Sequence, residues 1–139
     1  MILIDTSPLI AICDKSEGED HLRCVRTLRI AIVEKSKLIT LIPCITEAMY
    51  YLHKNLGWKG QNALWQLLNS EELMLHHPDR GELIRTHFLM EKYTDTPMDF
   101  ADASLVAAAE KLGTNKILTL DSDFNIYRIN GRRHFDIIP

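Results

Sequence analysis

The sequence has little cysteine, no excess of basic charge and no long apolar run. Its three cysteines, Cys13, Cys24 and Cys44, are odd in number and widely spaced, which excludes a disulfide framework and a zinc-ligand pair. We therefore expect a reducing, cytoplasmic setting. No apolar stretch approaches the roughly 18 residues that a membrane span needs, and no basic segment precedes the apolar start, so we expect neither a membrane span nor a secretory signal peptide.

Composition and charge narrow the class of protein further. Six glycines and five prolines among 139 residues are too few for a disordered or fibrous chain, and 46% hydrophobic residues are ordinary for a globule. The length predicts a single domain spanning residues 1–139. The net charge of −3 argues against a generally basic nucleic-acid-binding surface. An anionic partner would need a local basic patch or metal ions.

Predicted strands alternate with predicted helices along the whole chain. Short β-rich or apolar runs predict strands at 1–4, 37–42, 73–75, 116–120 and 135–138. Helical periodicity predicts helices at 8–12, 20–35, 47–56, 59–69, 80–93 and 101–112. This alternation predicts an α/β fold with three layers and a short, mainly parallel central sheet.

Several local signals predict where these elements begin and end. Gly57 and Gly113 are predicted to end helices, and Thr46 to cap the helix that Glu47 opens. Thr6 or Ser7 is predicted to cap the first helix. In helix 80–93 the predicted inward residues are Leu83, Ile84, Phe88 and Met90, with His87 on the same side, and His76-His77-Pro78 is predicted to be a loop rather than a metal site.

Four acids fall at ends of these elements. Asp5 follows the first strand, Glu47 begins the helix after the second strand, Asp102 lies in the first turn of a later helix, and Asp121 follows the fourth strand. Carboxyl ends of parallel strands share one rim with the starts of the following helices, so we expect these four side chains to meet there. Asp102 shares its helix face with apolar residues one turn on, which predicts an inward carboxylate.

Each acid also has an ordinary structural explanation. Asp5 and Asp121 suit turns, Glu47 suits the positive end of a helix dipole, and Asp99 suits an N-cap with Asp102 as the first-turn acid. If all four do meet, their mutual repulsion requires cations. Oxygen ligands without cysteine or histidine favour Mg²⁺ or Mn²⁺, which can catalyse hydrolysis of phosphodiesters.

The chain resembles the PIN domain family, especially VapC-type toxin ribonucleases. Four segments carry the resemblance, in order: Ile2-Leu3-Ile4-Asp5-Thr6-Ser7, Pro43 with Thr46-Glu47, Asp102-Ala103 leading into Leu105-Val106-Ala107-Ala108, and Thr119-Leu120-Asp121-Ser122-Asp123-Phe124. The resemblance implies a PIN-like fold and a Mg²⁺- or Mn²⁺-dependent endoribonuclease silenced by an antitoxin. It also leaves a homodimer open.

Carried over by position, the resemblance implies that Asp5, Glu47, Asp102 and Asp121 are the acids of the metal site, with Asp99 and Asp123 as supporting ligands. In this assignment Asp5 and Asp102 hold the main ion. Asp121 shares that ion or holds a second one, and Glu47 binds or orients the attacking water.

Hydroxyl groups and cations complete the predicted site. Thr6, Ser7 and Thr119 are predicted to donate hydrogen bonds to the ligand carboxylates. The cations expected to track a single-stranded or looped RNA backbone are Lys15, Arg128, Arg132 and Arg133, although each of them also suits a solvated surface.

Two other functions remain open from the residues. One is a non-cleaving PIN-like module that binds RNA or serves as a scaffold, which a metal-dependent cleavage assay would distinguish. The other is a phosphoacceptor or phosphatase-like protein with Asp5 as the nucleophile. Such proteins carry a second acid two residues after the nucleophile, where this sequence has Ser7. Trapping a phosphoaspartate at Asp5 would support this alternative.

Overall fold

Five short strands and six α-helices make up the fold in the computed structural model, which describes residues 1–139. The strands are β1 (Ile2–Ile4), β2 (Leu38–Leu41), β3 (Leu73–His76), β4 (Lys116–Leu118) and β5 (Asp136–Ile138). The helices are α1 (Thr6–Cys13), α2 (Glu19–Val33), α3 (Ile42–Leu56), α4 (Trp58–Leu68), α5 (Arg80–Lys92) and α6 (Phe100–Leu112). Short 3₁₀ helices occur at Lys15–Glu17 and Ser122–Asn125.

The strands form one sheet in the order β3-β2-β1-β4-β5, and every neighbouring pair is parallel. The predicted α/β fold is therefore confirmed. β1 and β2 are buried along their whole length, because central strands of an α/β sheet are covered on both faces. This burial explains why both strands read as continuous apolar runs in the sequence.

The sheet changes its direction of growth between β1 and β4. The chain moves outward from β1 through β2 to β3, and then returns to place β4 on the other side of β1. Since parallel crossovers are right-handed, this reversal places α5 and α6 on the face opposite α1 to α4. Accordingly, α1 packs on α2, α3 and α4, while α5 packs on α6. Such a reversal opens a crevice at the carboxyl ends of β1 and β4.

The glycine signals for helix ends are confirmed. Gly57 ends α3 with a backbone φ of 61°, and Gly113 ends α6 in the left-handed conformation with a φ of 69°. Glycine suits both positions because it has no Cβ to clash in that region.

The predicted start of α3 is wrong. The helix begins at Ile42, five residues before Glu47, because Pro43 lies in its first turn, where a missing N–H group costs nothing. Thr46 is therefore inside the helix, and its hydroxyl donates to the Ile42 carbonyl at 3.0 Å instead of capping. Glu47 lies one turn deeper in the helix than predicted.

Two other boundaries differ from the prediction. Asp5, rather than Thr6 or Ser7, is the N-cap of α1. β4 ends at Leu118, so Asp121 does not end the strand but caps the 3₁₀ helix Ser122–Asn125. In both cases an aspartate side chain accepts a backbone N–H group at the start of a helix, as is typical of an N-cap.

The predicted inward face of α5 is wrong except at Met90, which packs partly buried against the core, and His87 is exposed. Leu83, Ile84 and Phe88 are 47%, 63% and 53% exposed, whereas Glu82, Thr86 and Leu89 are buried. A capping box between Asp79 and Glu82 starts the helix, and Glu82 turns inward to bond Nε2 of His76 at 2.6 Å. These polar contacts set the rotation of the helix. His76 is the last residue of β3 rather than part of a loop.

The core extends through the whole length of the chain. It includes the central strands, one face of nearly every helix and an aromatic group near the end, in which Phe124 packs edge-on against both Tyr127 and Phe135. None of the helices combines the length and the apolar character that crossing a membrane requires.

Candidate active site

Asp5 follows β1, next to the point where the sheet reverses, and its carboxylate is held from two directions. Its carboxylate is 4% exposed. Oδ1 accepts the backbone N–H of Thr6 at 2.6 Å, and Oδ2 accepts the hydroxyl of Thr119 at 2.7 Å. The first contact comes from the start of α1 and the second from the segment after β4. Asp5 therefore joins the two diverging segments at the point where the sheet reverses.

Burial gives Asp5 an unusual titration. Loss of hydration raises the pKa of its carboxyl group from 3.8 to about 6, against the hydrogen bonds of Thr119 and Thr6, which lower it. The negative charges of Asp121 and Glu47 raise it further. A positive charge placed between these groups would reverse the shift.

Asp102 is the second buried acid. Asp99 caps α6 and accepts the backbone N–H of Asp102 at 2.8 Å, which sets the first turn of the helix. The Asp102 side chain is buried, as its helix position predicts. Burial, followed by the charges of Asp99, Asp5 and Asp121, raises the pKa of Asp102 to about 8.

Glu47 reaches the site from α3. One of its carboxylate oxygens accepts the hydroxyl of Thr6 at 2.8 Å, although the two residues are 41 positions apart in the sequence. Partial burial raises the pKa of Glu47; the Thr6 bond lowers it and the charge of Asp99 raises it. Glu47 is exposed, unlike the buried Asp5 and Asp102, so its carboxylate is open to water.

Asp121 lies beyond β4 and shares a hydroxyl with Asp5. The backbone N–H of Asp121 donates to the Thr119 hydroxyl at 3.0 Å, and this hydroxyl in turn donates to Asp5. The carboxylate of Asp121 accepts the N–H of Asp123 at 2.9 Å. Thr119 thus sets the spacing between the two acids.

Ser7 differs from its predicted role. Its hydroxyl oxygen accepts the backbone N–H of Leu120 at 3.2 Å and bonds no carboxylate, because the loop after β4 passes directly over it. Thr6 and Thr119 each donate to a carboxylate of the cluster.

The acids act on one another electrostatically. The negative charges of Asp99, Asp5 and Asp121 raise the pKa of Asp102, and those of Asp121 and Glu47 raise the pKa of Asp5. Such mutual effects require short separations. The fold therefore brings Asp5, Glu47, Asp99, Asp102 and Asp121 into one acidic cluster at the carboxyl edge of the sheet.

The donor chemistry of this cluster fits a hard divalent cation. No group of three or more histidine, cysteine, aspartate or glutamate side chains is arranged so that it could hold a metal ion. Mg²⁺ does not require such a group, since it keeps several waters and commonly uses one or two carboxylates. Burial raises the pKa values of Asp5 and Asp102 most, and the negative charges of neighbouring acids raise them further, so a positive charge here would lower both. A divalent ion bound by carboxylate oxygens would supply that charge.

Comparison with known proteins agrees with this geometry. Residues 2–130 match the profile of the PIN domain, which covers most of the chain. The chain belongs to the PIN domain family. It is 28% identical over 142 residues to ribonuclease VapC26 of Mycobacterium tuberculosis, across 99% of this chain and 100% of that protein.

Two solved structures share the fold of this PIN domain. VapC20 of M. tuberculosis, a sarcin–ricin loop cleaving toxin, has a TM-score of 0.78 at 18% identity, covering 91% of this chain and 94% of that one. VapBC2 of Rickettsia felis, bound to a DNA fragment from its promoter, has a TM-score of 0.72 at 13% identity, with both chains covered completely. The resemblance to VapC toxin ribonucleases is thereby confirmed for both sequence and fold.

The predicted RNA-binding cations of this PIN domain fall into two groups. Lys15, Arg132 and Arg133 are exposed. Arg128 is half-buried, and its Nη1 donates to the carbonyls of Asn125, Ile126 and Tyr127 at 2.7, 2.8 and 2.9 Å. Arg128 therefore serves mainly to close the short 3₁₀ helix, since these carbonyls lack other partners at its end.

Sequence reasoning missed Tyr127. This residue is fully buried, and its hydroxyl lies 3.4 Å from Oδ2 of Asp102. Burial, followed by the charge of Asp102, raises the pKa of Tyr127 above its usual range, so the phenol keeps its proton. A buried tyrosine shortly after the last acidic motif was the available signal, because buried phenols need a polar partner.

The sequence also did not predict a polar cleft of about 230 Å³. It lies beside Asp121 and is bordered by Arg23 of α2 together with Ser122 and Asn125. Only the packing of α2 next to the loop after β4 brings Arg23 to the same cleft as Asp121.

Proposed function

We propose that this PIN domain is a Mg²⁺- or Mn²⁺-dependent endoribonuclease. The observation that carries the proposal is the acidic cluster itself, in which Asp5 and Asp102 are buried at the reversal point of the sheet with raised pKa values. Carboxylates whose pKa values are raised by burial and by neighbouring charges are typical of functional sites. Membership of the PIN domain family and the relation to ribonuclease VapC26 support RNA as the substrate.

The proposed roles of the acids follow from how deeply each side chain is buried. Asp5 and Asp102, the two buried acids, would hold the main ion, and Asp121 would share it or hold a second one. Asp99 and Asp123 would support these ligands from the neighbouring helix starts. A bound divalent ion supplies positive charge to the phosphodiester and makes hydroxide available near neutral pH.

Glu47 has a different environment from the buried acids. Its carboxylate is open to water. The Thr6 hydroxyl donates a hydrogen bond of 2.8 Å to one of its oxygens, and this bond orients the carboxylate. We assign Glu47 to orienting the attacking water and accepting its proton as the water attacks phosphorus opposite the leaving oxygen. Lys15, Arg128, Arg132 and Arg133 would contact the RNA backbone, and Arg23 lines the cleft beside Asp121.

The biological role that we propose is the toxin of a toxin–antitoxin pair acting in the cytoplasm. Support comes from the relation to ribonuclease VapC26 and from the shared fold of VapC20 and VapBC2. Expression of this chain should arrest bacterial growth. A small protein encoded next to it should relieve the arrest when both are expressed, whereas growth unaffected by the chain would contradict the toxin role.

Cleavage of RNA by the purified protein tests the enzyme. We expect single-stranded and stem-loop RNAs to be cut in Mg²⁺ or Mn²⁺ and left intact in chelator. Asp121→Asn should lower the rate about a hundredfold or more without changing the circular dichroism spectrum, since it removes a charge from the reacting centre.

The matched control is Asp136→Asn. Asp136 is an exposed acid at the amino end of β5, away from the carboxyl edge of the sheet, and its ion pair with Lys116 is long at 3.9 Å. We expect this variant to cut RNA like the wild type. Full activity of Asp121→Asn, or the absence of cutting by the wild type on varied RNAs, would contradict the proposal.

A further inference from the structure

The ring of Tyr127 is fixed by aromatic neighbours in the core. Tyr127 is 0% exposed, and its ring packs edge-on against Tyr93 and Phe124 with centroids 5.3 and 5.2 Å away. Two such contacts at steep interplanar angles of 72° and 79° fix the ring in position and direction. The phenol oxygen therefore has little freedom to leave its partners.

That oxygen lies between two acceptors. It is 3.4 Å from Oδ2 of Asp102 and 3.3 Å from the carbonyl of Pro97. A phenol has a single proton to donate, so it either bonds one acceptor or shares its proton between both. Pro97 belongs to the segment that leads into Asp99, the N-cap of α6. Tyr127 thus contacts both the Asp102 carboxylate and the backbone segment that leads into α6, the helix that carries Asp102.

Hydroxyl donors reach two other acids of the cluster at shorter distances. Asp5 receives the Thr119 hydroxyl at 2.7 Å, and Glu47 receives the Thr6 hydroxyl at 2.8 Å. In each case the donor comes from a different element than the acid. Tyr127 is the only side chain with a donor that reaches the carboxylate of Asp102. Each of the three acids therefore has one hydroxyl partner that selects its orientation.

We propose that Tyr127 is a positioning residue for Asp102, a role that rests on the proposed metal-dependent function. Its hydroxyl bonds Oδ2 and thereby directs the carboxylate toward the cation that Asp102 and Asp5 share. A phenylalanine at this position would pack equally well and leave the carboxylate free to rotate. The alternative is that the hydroxyl bonds only the Pro97 carbonyl and serves the core alone.

The test compares Tyr127→Phe with Tyr93→Phe in the full-length protein. Both changes remove one hydroxyl and keep the ring, and Tyr93 stacks against Tyr127 without a hydrogen bond from its own hydroxyl to the protein. Binding of Mn²⁺ alone, followed by electron paramagnetic resonance, is the first measurement. We expect Tyr127→Phe to weaken Mn²⁺ binding by about tenfold, as loss of a residue that orients a metal ligand does. Tyr93→Phe should bind Mn²⁺ like the wild type.

A double-mutant cycle with Asp102→Asn separates positioning from general loosening of the core. If Tyr127 acts through Asp102, then Tyr127→Phe should not weaken Mn²⁺ binding further in a protein that already carries Asp102→Asn. The cycle also covers the case in which Tyr127→Phe lowers stability, because a structural defect would weaken binding in both backgrounds. RNA cleavage at saturating Mn²⁺ should recover in Tyr127→Phe with an unchanged KM for RNA.

The outcomes distinguish this inference from the function on which it rests. Equal Mn²⁺ affinity of Tyr127→Phe and the wild type, or equal weakening with and without Asp102→Asn, would overturn the role of Tyr127 while RNA cleavage by the wild type still stands. A wild-type protein that neither binds Mn²⁺ nor cuts RNA would overturn the proposed enzyme and this role together.

Discussion

Replacing Asp5 by asparagine should stabilise the metal-free protein at alkaline pH. Asp5 is buried with a pKa raised from 3.8 to about 6, so the folded protein binds this proton more tightly than the unfolded chain does. The unfavourable contribution to folding is therefore almost absent below pH 4, grows between pH 4 and pH 6, and is complete above pH 6.

The pKa shift sets the size of the effect. At about 1.4 kcal/mol per pKa unit, ionised Asp5 costs the fold about 3 kcal/mol at pH 8 but only about 0.5 kcal/mol at pH 4. Asparagine keeps an oxygen for the Thr6 N–H, but its amide replaces the acceptor of the Thr119 hydroxyl. Loss of that hydrogen bond costs about 1 kcal/mol. The net effect of Asp5→Asn is a gain of about 2 kcal/mol at pH 8 and a small loss at pH 4.

Thermal and urea denaturation in the presence of chelator measure this change. The melting temperature of Asp5→Asn should exceed that of the wild type by roughly 4–8 °C at pH 8, since about 1 kcal/mol corresponds to a few degrees for a chain of this size. Near pH 4 the order should reverse. Adding Mn²⁺ at pH 8 should raise the melting temperature of the wild type and not of the variant, because only the wild type keeps the ligand.

Asp136→Asn is again the control, since Asp136 is an exposed acid at the other end of the sheet. It should change stability by little at either pH. A loss of stability in Asp5→Asn that is equal at pH 4 and pH 8 would contradict this reasoning. It would mean that burial and neighbouring charges do not raise the pKa of Asp5.

Two more substitutions test the contacts around the site. Thr119→Val should lower the free energy of unfolding by about 2 kcal/mol, because the buried hydroxyl that bonds an acidic side chain and the N–H of Asp121 is lost. Glu110→Ala should cost about 2–3 kcal/mol, because Glu110 accepts two bonds from Arg85, at 2.8 and 3.0 Å, and one from the N–H of Asn130 at 2.7 Å. Urea denaturation at pH 7 measures both losses.

Exposed positions provide the controls for these two changes. Thr94→Val and Glu91→Ala alter the same residue types at solvent-exposed sites without side-chain hydrogen bonds. Each should change the free energy of unfolding by less than about 0.5 kcal/mol. Losses in Thr119→Val or Glu110→Ala no larger than those of the controls would show that these hydrogen bonds contribute little to stability.

Local sequence signals predicted most of the secondary structure. The runs at Ile2–Ile4 and Leu38–Leu41 were recognisable because strands covered on both faces leave no position for a polar side chain. The helix ends at Gly57 and Gly113 were recognisable because the chain turns there through a conformation that glycine adopts without strain. These features depend on neighbouring residues alone.

Predictions failed where a distant contact overrode the local pattern. The apolar residues of α5 suggested one inward face, but the bond of Glu82 to His76 rotated the helix and left Ile84 and Phe88 exposed. The start of α3 was predicted too late, at Glu47, because Thr46 has a side chain typical of an N-cap, whereas the helix starts at Ile42 with Pro43 in its first turn.

The sequence by itself determined which acids are present, that parallel strands and helix starts would direct them to one edge, and that oxygen ligands would suit a hard cation. Only the tertiary structure decided how deeply Asp5 and Asp102 are buried, and which hydroxyls orient them. Burial and hydroxyl contacts depend on segments far apart in the chain, such as Tyr127 meeting Asp102 and Thr119 meeting Asp5 across 114 positions. A carboxylate's charge is set by that surrounding packing, so its pKa is a property of the fold.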